Sequence, residues 1–118
     1  MDPTPDSAAG ATAGAAASPP IVSRQPGALR YVAETGGTRA GLLTYGIRGG
    51  KMTLIHTEVD PAFEGHGIAG LLVRAALDDA RAADLRIVPA CPFAAAYLKR
   101  HPEDLDLVDE ADRQRWLA

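Results

Sequence analysis

The sequence predicts one α/β (α+β) domain, a compact mixed sheet with antiparallel N-terminal strands and helices packed on it. Three observations carry this. Runs suited to strands are punctuated by paired glycines at Gly36-Gly37 and Gly49-Gly50, which accept the positive φ of tight turns. From Gly67 to about Ala83 the period becomes helical, with Ile68, Leu71, Leu72, Ala75 and Ala76 recurring while Arg74, Asp78 and Arg81 fall elsewhere on the wheel. A short apolar run at 85–88 then follows, giving strands, helix, strand.

Taken in order, residues 1–20 are mostly Ala, Gly, Pro, Ser and Thr without an aromatic, too poor in apolar area to offset their ordering entropy. They read as a flexible tail, and residues 21–118 as the folded domain. Residues 29–34 and 39–45 read as strands joined across Thr35-Gly36-Gly37-Thr38. The strand at 51–59 sets Met52, Leu54, His56 and Glu58 on one face and Thr53, Ile55, Thr57 and Val59 on the other. Both faces hold apolar groups, so a central position is expected. After the helix and the strand at 85–88, Pro92 suits the first turn of a helix running to His101 and stopped by Pro102. Residues 105–108 are expected to add a last strand. Asp109 is expected to cap a short terminal helix that places Trp116 and Leu117 on the body.

A chain of 118 residues with 47% hydrophobic content supports one core rather than two. The net charge of -3 leaves no basic footprint for nucleic acid. No apolar run approaches the roughly 18 residues of a membrane span, and Asp2 and Asp6 stand where a signal peptide carries positive charge. Cys91 is the only cysteine, which rules out an internal disulfide and fits a reducing compartment. A cytoplasmic protein is expected. His56, His66, His101, Cys91 and Glu58 are scattered without zinc-ligand spacing, so no metal is expected.

The chemistry concentrates between Val59 and Gly70, reading Val-Asp-Pro-Ala-Phe-Glu-Gly-His-Gly-Ile-Ala-Gly, where a strand passes into a helix. Gly65 and Gly67 permit a tight turn, and the free N–H groups at the start of the helix point at an anion. The bland alternative is an ordinary turn entering a helix. Gly65 to Gly70 also satisfies the dinucleotide pattern G-x-G-x-x-G, but that motif needs its first glycine directly after the strand. Here residues 61–64 intervene, and Ala90-Cys91 occupy the place where a ribose-binding acid would stand. A Walker loop is excluded by the lack of Gly-Lys-Ser/Thr.

With Val59-Asp60-Pro61 ending the strand and Gly67-Ile68-Ala69 opening the helix, the segment resembles the acetyl-coenzyme A loop of the GNAT superfamily of N-acetyltransferases. Glu64 departs from the pattern, since Arg or Gln usually stands there and a carboxylate would repel a pyrophosphate. His66 offsets this in part through its partial positive charge near neutrality. Together with His56-Thr57-Glu58-Val59, the run Pro89-Ala90-Cys91-Pro92-Phe93, Tyr97 and His101-Pro102, the loop resembles a small single-domain branch of that superfamily. The resemblance spans most of residues 29–108 and implies a short, open acceptor side.

It implies acetyl-coenzyme A as co-substrate, its pyrophosphate held by the backbone of Gly65, His66, Gly67, Ile68, Ala69 and Gly70 beside Glu64. The strand is expected to splay from its neighbour, so that backbone near Glu58 and Val59 pairs with pantetheine. Lys99, with Arg100 and His101, would meet phosphates or simply complement the end of its helix. Cys91, at a helix start that favours the thiolate, is either a covalent acyl carrier or a small buried hydrophobe. His56 and Glu58 are either the general base for the attacking amine or a hydrogen-bonded polar pair. Tyr97 is either the acid for the departing thiolate or a core aromatic, arriving one residue early for the superfamily's Tyr. The expected activity is acetyl transfer to an amine, small molecule or peptide, directly or through Cys91. The competing expectation is a coenzyme A or acyl-coenzyme A binding module without turnover. Acceptor identity and oligomeric state lie outside these residues.

Overall fold

A computed structural model describes residues 19–118. The expected tail lies outside the described residues except for its last two positions. Five strands form one sheet in sequence order: β1 (Ile21–Gln25), β2 (Arg30–Thr35), β3 (Thr38–Arg48), β4 (Lys51–Val59) and β5 (Arg86–Val88). The first four are antiparallel and β5 runs parallel to β4, so the sheet is mixed as expected. Helix α1 (Ile68–Ala82) makes the crossover between β4 and β5; α2 (Pro92–Arg100) and α3 (Glu110–Trp116) follow.

The two glycine pairs set the hairpins. Gly36 and Gly37 have φ of 58° and 80°, and Gly49 and Gly50 of 58° and 76°, the paired positive values of two-residue hairpin turns. β3 consequently extends three residues beyond its expected end at 45, reaching the second turn at Arg48. β1 is an additional strand that the sequence did not announce. It is joined to β2 through a 3-10 turn at Pro26–Ala28 and fastened where the Arg24 Nε donates to the Tyr45 hydroxyl at 3.0 Å.

Helix α1 buries Ile68, Leu72, Val73, Ala76, Leu77 and Ala80 against the sheet. Each fully buried Leu, Ile or Val contributes roughly 1.5–3 kcal/mol. Leu71, expected on that stripe, instead faces out at 40% exposure, because the contacts rotate the buried face toward Val73 and Leu77. The Tyr31 hydroxyl donates to Asp79 at 2.8 Å, tying β2 to α1. Burial, reinforced by Asp79, pushes that phenol well above its ordinary pKa.

The C-terminal unit differs from expectation in two places. Residues Pro102–Leu107 form a 3-10 segment rather than leading into a strand. The buried Asp104 carboxylate is held there by Arg74 at 2.7 and 3.0 Å and by Arg81 at 3.2 Å, an anchorage that fixes the segment against α1 instead of the sheet. Asp109 does precede α3 but caps nothing with its side chain, which pairs with Arg86 at 2.7 Å and Lys51 at 3.4 Å. Arg113 donates to the carbonyls of Val108 and Leu105, and Leu117 packs on the core.

Candidate active site

β4 is the strand that organises the site, and its alternation is broken. Thr44 pairs with His56 and Tyr45 with Leu54, leaving Ile55 as an extra residue in a β-bulge. Beyond a bulge every side chain changes face. Met52, Leu54 and Thr57 are therefore buried toward the helices, whereas His56 and Glu58 stand on the opposite, open face. The expectation that His56 and Glu58 share a face with Met52 and Leu54 is corrected by that one residue. The two do share a face with each other, with Nε2 and Oε2 2.9 Å apart and both side chains more than half exposed.

Only Lys51, Met52 and Thr53 of β4 pair with β5. From Leu54 onward β4 continues to Val59 while β5 ends at Val88, so the strands part. Thr57 and Cys91 face each other across this gap, with Oγ1 and Sγ 3.1 Å apart. Cys91 is 1% exposed and belongs to the core. Since Thr57 and its neighbours on β4 point to opposite sides, the thiol is not brought to the His56–Glu58 pair.

The loop after β4 is tightly self-bonded at its start. The Asp60 side chain accepts from the Ala62 N–H at 2.9 Å, and the N–H groups of Phe63, Glu64 and His66 donate to the carbonyls of Asp60, Pro61 and Phe63. Gly65 and Gly67 both have positive φ, 83° and 75°, and Gly67 caps α1 in the left-handed conformation. The first helical N–H to find a carbonyl is that of Leu71, on Gly67 at 3.1 Å. The N–H groups of Gly65, Gly67, Ile68, Ala69 and Gly70 have no partner among the described residues. Five orphan donors at the positive end of a 15-residue helix are suited to a di-anionic group such as a pyrophosphate. The expected cradle loses only the His66 N–H, which Phe63 occupies.

Glu64 and His66 are exposed at the loop rim, and the His66 ring meets Phe63 edge-on at 6.0 Å. Tyr97 lies almost buried against Gly70 and stacks on His101 with ring centroids 4.1 Å apart. Its hydroxyl helps raise the pKa of Arg74, after Asp104, which has the larger effect. Lys99 and Arg100 are exposed, while His101 pairs with Glu103 at 3.1 Å.

Gly41 is a residue that the sequence reading passed over. A Cβ there would stand 2.7 Å from the Glu58 carbonyl and 3.0 Å from Ile68, so its absence lets β3, the end of β4 and the start of α1 meet. The available signal was a glycine within a strand, which often marks close backbone approach. Beside the end of β4, Arg39, Leu42, Glu58, Val59 and Asp60 line a groove of about 230 Å³. Among the described residues no group of three or more His, Cys, Asp or Glu side chains is gathered as a metal site. No helix among them is long and apolar enough to cross a membrane.

A mixed sheet whose fourth and fifth strands part beside a glycine loop with unpartnered N–H groups defines the acetyltransferase class of α/β fold. A family model of GCN5-related N-acetyltransferases matches residues 30–107, and the chain belongs to that family. The match begins at β2 and ends with the 3-10 segment. The fold is also similar to the NMR solution structure of a GCN5-like protein from Staphylococcus aureus, at 20% identity over 75% of this chain and 87% of that one, with a TM-score of 0.60. Such identity speaks for the fold alone. No curated protein matches the sequence.

Proposed function

We propose that this domain binds acetyl-coenzyme A in the gap between β4 and β5 and transfers its acetyl group directly to an amine approaching the open face of the sheet. The observation that carries the reading is the set of unpartnered N–H groups of Gly65, Gly67, Ile68, Ala69 and Gly70, in the loop and helix start that follow β4 where it has left β5. Those donors would hold the pyrophosphate. Backbone groups of β4 beyond Thr53, which have no β5 partner, would pair with the pantetheine amides.

The co-substrate supplies an activated thioester. An amine must be neutral to attack it, and the His56–Glu58 pair would take the ammonium proton, directly or through a water. The amine nitrogen then bonds to the acetyl carbon, the carbon–sulfur bond breaks, and the proton that the nitrogen sheds passes to the departing thiolate, directly or through water. Tyr97, closed in against Gly70 and His101, is better suited to shaping the cradle than to protonating that thiolate. Cys91 is enclosed with Thr57 on the helix side, which supports direct transfer over a covalent relay. Glu64, free at the rim, would temper cofactor affinity through repulsion.

The test is thiol release from acetyl-coenzyme A against a panel of amines. Release that depends on added amine supports the enzyme reading. Thermal stabilisation by coenzyme A without amine-dependent release would instead make the domain a binding module.

A further inference from the structure

The groove beside Glu58 carries its own recognition chemistry. It is lined by Arg39 at the start of β3 and by Glu58, Val59 and Asp60 at the end of β4, with Leu42 between them. Its volume of about 230 Å³ lies below the 300–1,000 Å³ common for drug-sized ligands, and suits a molecule the size of an amino acid. The Arg39 side chain is exposed and has no hydrogen bond or ion pair among the described residues. Most other arginines are committed: Arg24 to Tyr45, Arg30 to Gln25, Arg74 and Arg81 to Asp104, Arg86 to Asp109, and Arg113 to backbone carbonyls. The Asp60 carboxylate accepts from the Ala62 N–H through one oxygen and keeps its charge, so the groove holds two anions, of which Glu58, hydrogen-bonded to His56, is the candidate base.

A free guanidinium and the candidate base therefore line one small groove with Leu42 as its apolar part. We infer that the acceptor is a zwitterionic amine, an amino acid or a similar small molecule bearing a carboxylate. Its carboxylate lies on Arg39 and its ammonium is presented to Glu58 and His56. The planar guanidinium matches a carboxylate bidentately, a pairing that a simple amine cannot make. This inference rests on the acetyltransfer reading above and adds the acceptor class to it.

The experiment compares matched pairs that differ only by the carboxylate: L-leucine with isopentylamine, L-phenylalanine with 2-phenylethylamine, and L-lysine with cadaverine. Each is assayed for thiol release and for backbone amide shifts in the coenzyme A complex, with the natural chain and with Arg39→Gln. Amino acids are expected to move the amides of Leu42 and Val59 and to show the lower KM. Arg39→Gln is expected to raise that KM on the order of tenfold, the effect of losing one hydrogen-bonded charge partner. The decarboxylated amines and the affinity for coenzyme A should be unchanged by the substitution. Equal use of both members of each pair, or an equal loss for both in Arg39→Gln, would overturn the inference. So would amino acids that leave the groove amides unmoved while coenzyme A still binds. Failure of coenzyme A itself to bind strikes the acetyltransfer reading, and this inference falls with it.

Discussion

Thr57 and Cys91 meet at 3.1 Å across the point where β4 and β5 part, the hydroxyl of one strand against the thiol that precedes α2. The contact closes the helix side of the gap and turns Cys91 away from solvent. The first consequence concerns the covalent route. Cys91→Ala should keep turnover within a few-fold and lose about 1 kcal/mol of stability, the usual cost of a modest core substitution. Incubation with acetyl-coenzyme A alone should leave no acetyl group on the Cys91 peptide in mass spectrometry. An adduct, with turnover abolished in Cys91→Ala, would restore the relay.

The His56–Glu58 pair is predicted to act as base, so the rate should rise with pH as the pair loses its proton. Glu58→Gln should lower kcat by about 10²–10⁴-fold and flatten the acid limb of the pH–rate profile. His56→Ala should shift or weaken the same limb. A profile unchanged in both variants would remove the pair from the chemistry. Because both side chains are more than half exposed, the fold should tolerate either change.

Gly67→Ala tests the cradle through conformation alone, since a Cβ there meets no atom within 4 Å but the residue has φ of 75°. The left-handed backbone costs a non-glycine residue roughly 1–2 kcal/mol. Relaxation of that strain should turn the Ile68 and Ala69 N–H groups and weaken coenzyme A binding by about tenfold in calorimetry. Gly37→Ala, with φ of 80° in the β2–β3 hairpin, is the control. It should destabilise comparably and leave coenzyme A affinity untouched.

Much of this arrangement was legible in the sequence. The glycine pairs bracket their strands, and the bounds of β4 and α1 follow from turn residues and periodicity. The bulge at Ile55 was not legible, because the apolar alternation reads smoothly through it and only the pairing of Thr44 with His56 reveals the extra residue. β1 was missed because its residues are largely exposed, leaving little apolar pattern to read. Leu105, Leu107 and Val108 alternate like a strand, yet the buried Asp104 between Arg74 and Arg81 decides the local structure. That partnership is tertiary and has no signature in local spacing. Of the candidate site residues, the loop glycines, Glu58 and His56 gather around the end of β4. Cys91 and Tyr97 lie on the helix side, and Lys99 is exposed farther along α2.

Asp104 also sets a pH dependence. Arg74 first, and Arg81 after it, hold its carboxyl below the usual carboxylate range against the opposing effect of burial. A depressed carboxylate contributes stability that is fully present above its unfolded pKa of about 3.9 and is lost as pH falls through the lower folded value. Stability should therefore be insensitive to this group near neutrality and decline below about pH 4. Asp104→Asn should cost about 2 kcal/mol at pH 7, lowering Tm by about 10 °C, with the difference from the natural chain narrowing in acid. A difference that stayed constant down to pH 2 would contradict the ion-pair account.

The binding claim is tested most directly by titrating the ¹⁵N-labelled protein with acetyl-coenzyme A and following its backbone amides. The largest shifts are predicted at Gly65, Gly67, Ile68, Ala69 and Gly70, with a second set along β4 beyond Thr53. Shifts confined to other parts of the molecule, or none at saturating acetyl-coenzyme A, would contradict it.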